Sequence, residues 1–194
     1  MTLTVNNLII WMAKFADKIA VNKQFLSDLD TPIGDSDHGF NMDRGMQAVM
    51  TKLKTEPASL PETFKVIAMT LISTVGGASG PLYGTAFLEM AKKSSTTTDL
   101  VDLLTAALNG IEKRGGAEPG DKTMVDVWQA VIPEIKAHTL TENKIASAVE
   151  ATKDLVAKKG RASYLGERAK GHVDPGAQSS AYLFTALLET EGLL

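Results

Sequence analysis

Apolar residues recur with helical spacing along most of the chain. The first stripe, Leu8, Met12, Phe15 and Ile19, falls at i, i+4, i+7 and i+11 and so occupies one face of a helix. Alternation typical of a strand is confined to residues 71–75, which also continue a helical stripe. Seven further segments repeat the helical spacing, and they span residues 42–53, 64–71, 82–90, 100–111, 124–135, 145–156 and 182–187. The pattern therefore predicts an all-α fold of about eight helices.

Start signals precede three of these predicted helices. Ser59 followed by Glu62 has the form of a capping box, and Thr123 followed by Asp126 has the same form. Thr141 is suited to cap the helix after it. Because a side-chain cap satisfies backbone N–H groups that a helix start leaves free, these signals support the helical assignment.

The composition is that of an ordinary globular protein. The 194 residues are 44% hydrophobic and 22% charged, with a formal net charge of −3, which argues against general binding of nucleic acid. The absence of cysteine excludes disulfides and thiolate metal sites. No apolar stretch reaches the ~20 residues of a membrane span, and no secretory signal is evident at the N-terminus. We expect one domain over residues 1–194, a cytoplasmic location and no membrane partner.

Most of the glycines are clustered. Of the 16 glycines, 14 lie between or at the starts of predicted helices, in groups at residues 34–45, 76–84, 115–120 and 160–176. Glycine is unfavourable inside helices, so these groups are compatible with simple helix termination. Alternate junctions of a helical bundle, however, lie at the same end, where four such loops would share one mouth. The sequence leaves both interpretations open.

The junction before the second predicted helix is acidic. Residues 24–43 contain five aspartates and neither lysine nor arginine. Two carboxylates ~5 Å apart repel by roughly 3 kcal/mol at an effective dielectric near 20. The acids therefore protonate, extend into water as a solvated turn, or bind a cation. The candidates for cation ligands are Asp30, Asp35 and Asp37.

The types of ligand present restrict which cation would bind. Zinc requires cysteine or several histidines, and only His38 is near. An EF-hand loop is also excluded, because counting from Asp28 places Pro32 at position 5 and Gly39 at position 12. A hard ion with oxygen ligands is left, most simply Mg²⁺. Three close aspartates have enough oxygens for two such ions, which would neutralise a polyphosphate.

Three segments are suited to an anion. Residues 38–41 open a helix, where free N–H groups favour negative charge. Residues 76–81 are rich in glycine, and Ser79 can cap the following helix there; a cap with tight helix packing is the alternative explanation. Residues 160–176 are long and polar and carry Arg161, which makes them either a lid that brings positive charge to a phosphate or a solvated loop.

Together these segments resemble the L subunit, or L domain, of dihydroxyacetone kinases. The resemblance runs from about residue 26 to residue 176 and rests on four motifs in order, one at each glycine group. The motifs are Gly34-Asp35-Ser36-Asp37-His38-Gly39-x-Asn41 after Asp30, Gly76-Gly77-Ala78-Ser79-Gly80-Pro81-Leu82-Tyr83-Gly84, Gly120-Asp121-Lys122-Thr123-Met124-Val125-Asp126, and Gly160-Arg161-Ala162-Ser163-Tyr164 leading to Asp174-Pro175-Gly176-Ala177. The combination is specific.

The resemblance implies an antiparallel barrel, or bundle, of eight helices with a nucleotide site at one end. It implies that Asp30, Asp35 and Asp37 hold two Mg²⁺ ions beside bound ADP or ATP. Met124 is expected near the adenine, although it also fits the apolar stripe of its helix. The full set expected at the nucleotide is His38, Gly39, Phe40, Asn41, Ser79, Gly80, Leu82, Gly115, Gly116, Thr123, Met124, Arg161, Asp174, Pro175 and Gly176.

The implied reaction is transfer of a phosphoryl group from Mg-bound ATP to dihydroxyacetone. The chain has no room for a substrate-binding domain, so the resemblance is to the separate subunit of a kinase linked to the phosphotransferase system. In that system a K subunit holds dihydroxyacetone, the L subunit keeps ADP bound, and an M subunit rephosphorylates it. We assign no catalytic side chain to this chain and expect the partner to supply any general base.

The family commonly has glycine where this chain has Ser36. If that position requires a positive φ, Ser36 is strained, while the spacing of the metal ligands should survive. Two other functions stay open at this point: the ATP-binding module of a fatty-acid kinase, and a non-catalytic nucleotide sensor that docks on a regulator. The sequence also leaves open whether the chain forms a homodimer.

Overall fold

Eight α-helices and one 3₁₀ helix make up the regular structure of the residues described by this computed structural model, which are residues 2–55 and 57–194. Within these residues there is no strand, and residues 71–75 continue α3 as far as Thr74 instead of forming one. The helices are α1 (Val5–Asp30), α2 (His38–Leu53), α3 (Leu60–Thr74), α4 (Ser79–Lys93), α5 (Leu100–Gly115), α6 (Met124–Lys136), α7 (Glu142–Glu150), the 3₁₀ helix (Arg161–Ala169) and α8 (Pro175–Leu188). The all-α prediction is confirmed.

The helices form a closed ring. Each α-helix packs against the next one along the chain, and α8 contacts α1, α6 and α7. Because most connections are short, consecutive helices run in opposite directions. The junctions after α1, α3, α5 and α7 therefore lie together at one end of the ring, which we call the site end. Each of the four glycine groups includes one of these junctions, although Gly45 and Gly84 lie inside α2 and α4.

The interior of the ring is filled by large side chains. Trp11 and Trp128 are fully buried. The indole N–H of Trp11 donates to the carbonyl of Leu183 at 2.8 Å, and Trp128 packs edge-on against Phe184 with ring centroids 5.0 Å apart. A buried indole is stable only when its N–H has a partner, so these contacts help to define how α8 lies against α1 and α6.

Several helix ends differ from the sequence predictions. The first helix continues to Asp30, so the acidic segment begins inside the last turn of α1 and not in a loop. The helix predicted to reach residue 156 ends at Glu150, and the segment beyond it, predicted as an irregular loop, contains the 3₁₀ helix. Apolar periodicity does not define helix ends closely and does not detect 3₁₀ turns, which explains these differences.

The predicted caps are mostly confirmed. Thr123 and Asp126 form the complete capping box, and the side chain of Thr141 accepts the N–H of Lys144. Ser59 accepts the N–H of Glu62, but the Glu62 carboxylate accepts from Ala58, one residue before the cap, so only half of that box forms. In residues 2–55 and 57–194, no helix is both long enough and apolar enough to cross a bilayer.

Candidate functional site

A cavity of about 350 Å³ opens at the site end of the ring. Its lining comes from residues 30–41, 76–82, 111–125 and 159–176, one stretch from each of the four junctions. The volume lies in the range of small-ligand pockets. Of the two interpretations of the glycine groups, the structure therefore supports the shared mouth.

Asp30, Asp35 and Asp37 converge at one side of this cavity. Each offers a carboxylate oxygen, and these oxygens lie within 4.8 Å of one another. The Oδ2 atom of Asp30 accepts the backbone N–H of Asp37 at 3.1 Å and that of His38 at 3.4 Å. These bonds fold the junction back onto the end of α1, so that residues up to 7 positions apart in the chain share one site.

The aspartate cluster has the donor set that a hard divalent cation prefers. Its ligand atoms are all carboxylate oxygens, and burial raises the pKa of Asp30 above its usual value because the charged form is desolvated. A bound cation would favour the ionised form. Gly34 permits the close approach, since a Cβ there would overlap the carboxylate of Asp30. The residues present therefore fit Mg²⁺.

Ser36 occupies the left-handed region, with φ 65°. Strain was expected at Ser36 if its φ were positive, and the structure shows that it is. For a residue with a Cβ, that conformation costs roughly 1–2 kcal/mol.

We expect Ser36→Gly to raise the free energy of unfolding by about 0.5–1 kcal/mol, because relief of strain is partly offset by the greater flexibility of the unfolded chain. Urea unfolding of the metal-free protein measures this. Ser95→Gly is the control: Ser95 is an exposed turn residue outside the positive-φ set, and glycine there should not stabilise. Equal effects of the two substitutions would contradict the assignment of strain to Ser36.

His38, the first residue of α2, is held by two serines. Its Nε2 lies 2.9 Å from the Ser179 hydroxyl and its Nδ1 lies 3.1 Å from the Ser79 hydroxyl. Since Ser179 donates its own proton to the carbonyl of Gly176 at 3.1 Å, it accepts from Nε2–H. Nδ1 is then the acceptor for the Ser79 hydroxyl. Burial lowers the pKa of His38 to about 4, so the ring is neutral.

This arrangement continues as a buried network across the ring. The Tyr83 hydroxyl lies 2.8 Å from Ser179 and 3.0 Å from Ser180, and the indole N–H of Trp128 donates to Ser180 at 3.0 Å. The network links α2, α4, α6 and α8 and joins His38 to the core. Because every described member has a partner, it holds the imidazole in a single orientation.

Asp174, which also lines the cavity, caps α8. Its Oδ2 accepts the N–H of Ala177 at 2.7 Å, and burial raises its pKa to about 7. Asp174 and His38 therefore contribute to the pH dependence of stability with opposite signs. Between pH 4 and 6.5 the unfolded His38 binds a proton that the folded one does not, so its contribution to stability falls as the pH falls. Between pH 3.8 and about 7 the folded Asp174 keeps a proton that the unfolded one releases, so its contribution falls as the pH rises.

Two conservative variants should separate these contributions. Relative to the wild type, His38→Gln should become less stable as the pH rises from about 4.5 to about 7, by up to about 3 kcal/mol. Asp174→Asn should show the opposite trend, because asparagine imitates the protonated carboxyl. Denaturant unfolding at both pH values measures how the stability of each variant, relative to the wild type, changes with pH. If it changed in the same direction for both variants, the burial of one of the two groups would be contradicted.

Met124, the residue expected near the adenine, lines the cavity together with Leu82, Gly115 and Thr123, and it is 3% exposed. Met124 therefore belongs to the core and to the cavity wall together. Ser79 also lines the cavity, but as the first residue of α4 its hydroxyl bonds to His38 and does not cap the helix. The predicted cap at Ser79 is wrong.

Four of the expected nucleotide residues do not line the cavity: Gly39, Phe40, Gly80 and Gly116. A Cβ at Gly39 would overlap the carbonyl of Lys23 on α1, and one at Gly80 would overlap the carbonyl of Val75. Gly116 ends α5 in the left-handed region, and Phe40 points outward. In this structure, helix packing and helix termination explain the three glycines. The other expected residues line the cavity: His38, Asn41, Ser79, Leu82, Gly115, Thr123, Met124, Arg161, Asp174, Pro175 and Gly176.

Positive charge reaches the cavity from two junctions. Arg161 begins the 3₁₀ helix, and its guanidinium lies 2.8 Å from the Asp35 carboxylate. Three further cations in the lining, Arg114, Lys122 and Lys159, were not among the predicted site residues. Lys122 lies in the motif of residues 120–126, so the sequence did draw attention to it. Arg114 lies in the last turn of α5, where a cation is common because it interacts favourably with the helix dipole.

The chain is similar in sequence to a known domain family and to known kinase subunits. Residues 32–189 match the DAK2 domain. The chain is 52% identical over 188 residues to the PTS-dependent dihydroxyacetone kinase, ADP-binding subunit DhaL, of Lactococcus lactis, covering 96% of this chain and 98% of the relative. It is 38% identical over 204 residues to the PEP-dependent dihydroxyacetone kinase, ADP-binding subunit DhaL, of Escherichia coli, covering 96% and 97%.

A solved structure has the same fold. The dihydroxyacetone kinase of C. freundii in complex with AMP-PNP and Mg²⁺ superposes with a TM-score of 0.74 at 26% identity, over 96% of this chain and 33% of that chain. The present chain therefore spans about a third of that kinase. Through its sequence, its ring of helices and its cavity, the chain belongs to the DAK2-domain family and groups with the ADP-binding subunits of dihydroxyacetone kinases.

Proposed function

We propose that this chain is the nucleotide-binding subunit of a dihydroxyacetone kinase and passes a phosphoryl group from ATP to dihydroxyacetone held by a partner. The observation that carries the proposal is the convergence of an oxygen-only acidic cluster, a helix start and an arginine on one cavity. An anionic polyphosphate needs such neutralisation at several points, and phosphoryl transfer depends mainly on positioning and charge. The names of the close relatives agree with this role.

ADP or ATP with Mg²⁺ is the proposed cofactor set. When bound, Mg²⁺ neutralises charge on the phosphates; Asp30, Asp35 and Asp37 would hold it, and two ions are proposed. His38 and Asn41 at the α2 start and Ser79 at the α4 start place polar residues in the cavity lining. Leu82 and Met124 offer an apolar wall for a base. Gly39, Phe40, Gly80 and Gly116 lie outside the cavity lining, and their contact with the nucleotide stays a prediction.

Arg161 has a second partner in this scheme. In the structure its guanidinium pairs with Asp35, which is also a proposed metal ligand. A divalent cation at Asp35 would compete for that carboxylate, and Arg161 would then be free to pair with a phosphate. The pair is largely exposed, so its exchange of partners should cost little.

The proposed partners are a K subunit that holds dihydroxyacetone and an M subunit of the phosphotransferase system that rephosphorylates bound ADP. We assign no general base to this chain and propose that the K subunit supplies it. Residues 1–194 are proposed to act as one domain. The cytoplasmic location and a homodimer remain predictions.

The test is reconstitution. The purified chain is mixed with the K subunit of a close relative, dihydroxyacetone and Mg-ATP, and triose phosphate is measured; we expect product only when both proteins are present. Mass spectrometry of the purified chain should show co-purifying ADP. Bound ADP without product would favour a nucleotide sensor over a kinase subunit. Phosphorylation of a fatty acid in place of dihydroxyacetone would favour the other alternative.

A further inference from the structure

The segment between α7 and α8 closes one side of the cavity. This closing segment, residues 151–173, contains the 3₁₀ helix and carries Lys159, Arg161 and Ala162 into the cavity lining. Its two ends meet at its base. The N–H of Gly171 donates to the carbonyl of Lys153 at 2.9 Å, and the N–H of Asp174 donates to the Thr152 hydroxyl at 3.1 Å. The position of Arg161 therefore depends on how this base is held.

Lys122 lies at that base. It is 1% exposed, although lysine is seldom buried, and its backbone is left-handed with φ 62°. Its Nζ donates to three backbone carbonyls: Thr152 at 2.6 Å, Lys153 at 3.2 Å and His172 at 2.5 Å. These carbonyls belong to both ends of the closing segment. An ammonium group has three N–H donors, so all of them are used.

The surroundings of Lys122 support a charged side chain. Burial lowers its pKa, while the carboxylates of Asp174, Asp154 and Asp126 act in the opposite direction. Three acceptors at these distances require all three protons of an ammonium. The neighbouring residue is joined to the same segment, because the Asp121 carbonyl accepts the N–H of Lys158 at 3.1 Å and its carboxylate pairs with the Lys158 ammonium at 3.0 Å.

We propose that Lys122 is a positioning residue whose ammonium clamps both ends of the closing segment to the α5–α6 junction. It thereby holds Arg161 at the side of the cavity where the aspartate cluster lies. The proposal rests on the proposed function only for the identity of the ligand. The same junction supplies Thr123 and Met124 to the cavity lining, so Lys122 joins two of the segments that line the cavity. A residue that merely filled space at this point would not need three donors.

The three carbonyls also form a cage of a kind that accepts a small cation. If Lys122 is shortened, ammonium or methylammonium from solution should enter the cage and restore the clamp. Tetramethylammonium should not, since it has no N–H group and is larger. This difference separates a clamp from general stabilisation, which would not depend on the shape of the added cation.

The experiment uses the full chain with Lys122→Met and Lys122→Ala, and Lys92→Ala as a control at an exposed lysine of α4. Amide hydrogen exchange is followed without nucleotide, and Mg-ADP affinity is followed by calorimetry. In Lys122→Met, exchange in residues 158–170 should rise at least 10-fold with α1 to α4 unchanged, and ADP affinity should fall at least 10-fold. In Lys122→Ala, ammonium or methylammonium should restore both in a saturable way, whereas tetramethylammonium at equal ionic strength should not.

Unchanged exchange in residues 158–170, or a uniform rise in all helices with no rescue, would overturn the proposal. If Lys122→Ala does not fold alone, its refolding is measured against ammonium concentration, and the absence of a saturable dependence has the same meaning. The exchange measurement needs no nucleotide, so the clamp is tested even if the wild type fails to bind ADP. That failure would count against the proposed function only.

Discussion

Replacing Asp30, Asp35 and Asp37 together with asparagine is expected to abolish magnesium-dependent retention of ADP. The three carboxylates are the only oxygen cluster of this kind that the described residues form, and their ligand atoms lie within 4.8 Å of one another. Removing groups that merely orient metal ligands costs about 10–100-fold in affinity, so loss of the ligands themselves should cost at least about 100-fold. Calorimetry with Mg-ADP, and triose phosphate formation with the K subunit, measure the loss.

The same triple variant should fold well. Without a metal the clustered carboxylates repel one another, and neutral asparagine removes that repulsion. Thermal unfolding without magnesium should therefore show equal or greater stability than the wild type. Asp28→Asn is the matched control, because Asp28 is exposed on α1, bonds to Gln24 and lies outside the cluster. Full Mg-ADP binding by the triple variant would refute the metal role.

Gly39→Ala is expected to destabilise the protein by about 3 kcal/mol or more. Gly39 lies where α2 crosses α1, and an added methyl group would overlap the carbonyl of Lys23 and press on Leu26. Backbone cannot rotate aside as a side chain can, so the helices must separate. The N–H of Gly39 also donates to the Ser27 hydroxyl at 3.1 Å, a bond that the separation would strain. Urea unfolding measures the effect.

Gly110→Ala is the control for this prediction. Gly110 is also a buried helical glycine, but an added methyl group there would chiefly meet the Cγ of Glu89, which belongs to a flexible side chain. Its effect should lie within about 1 kcal/mol, since the greater helix propensity of alanine offsets the adjustment. If the two variants lost equal stability, packing at the α1–α2 crossing would not be the cause.

The helices and the acidic cluster could be predicted because both are local properties. Period and capping signals act over a few residues, and Thr123 with Asp126 formed the predicted box. The aspartates lie within one junction, so their proximity needs little of the remaining chain. A positive φ at Ser36 could be expected only through the family resemblance, which implies glycine at this position.

The contacts of Gly39, Gly80 and Ser79 could not be predicted in the same way. Gly39 and Gly80 belong to motifs expected at the nucleotide, but their neighbours in space are the carbonyls of Lys23 and Val75. A glycine looks the same in sequence whether a ligand or another helix approaches it. Ser79 looked like a helix cap, yet its hydroxyl bonds to His38, 41 residues earlier in the chain.

The amino-acid sequence by itself determined the all-helical class, the four junctions that carry glycine and the acidic cluster proposed to hold a hard cation, because each depends on short-range patterns. Closure of the ring decided the rest. Only that closure brings Ser179 to His38 and the carbonyls of Thr152 and His172 to Lys122, across separations of 141, 30 and 50 residues. Such contacts depend on where whole helices lie, and no local pattern of residues encodes that position.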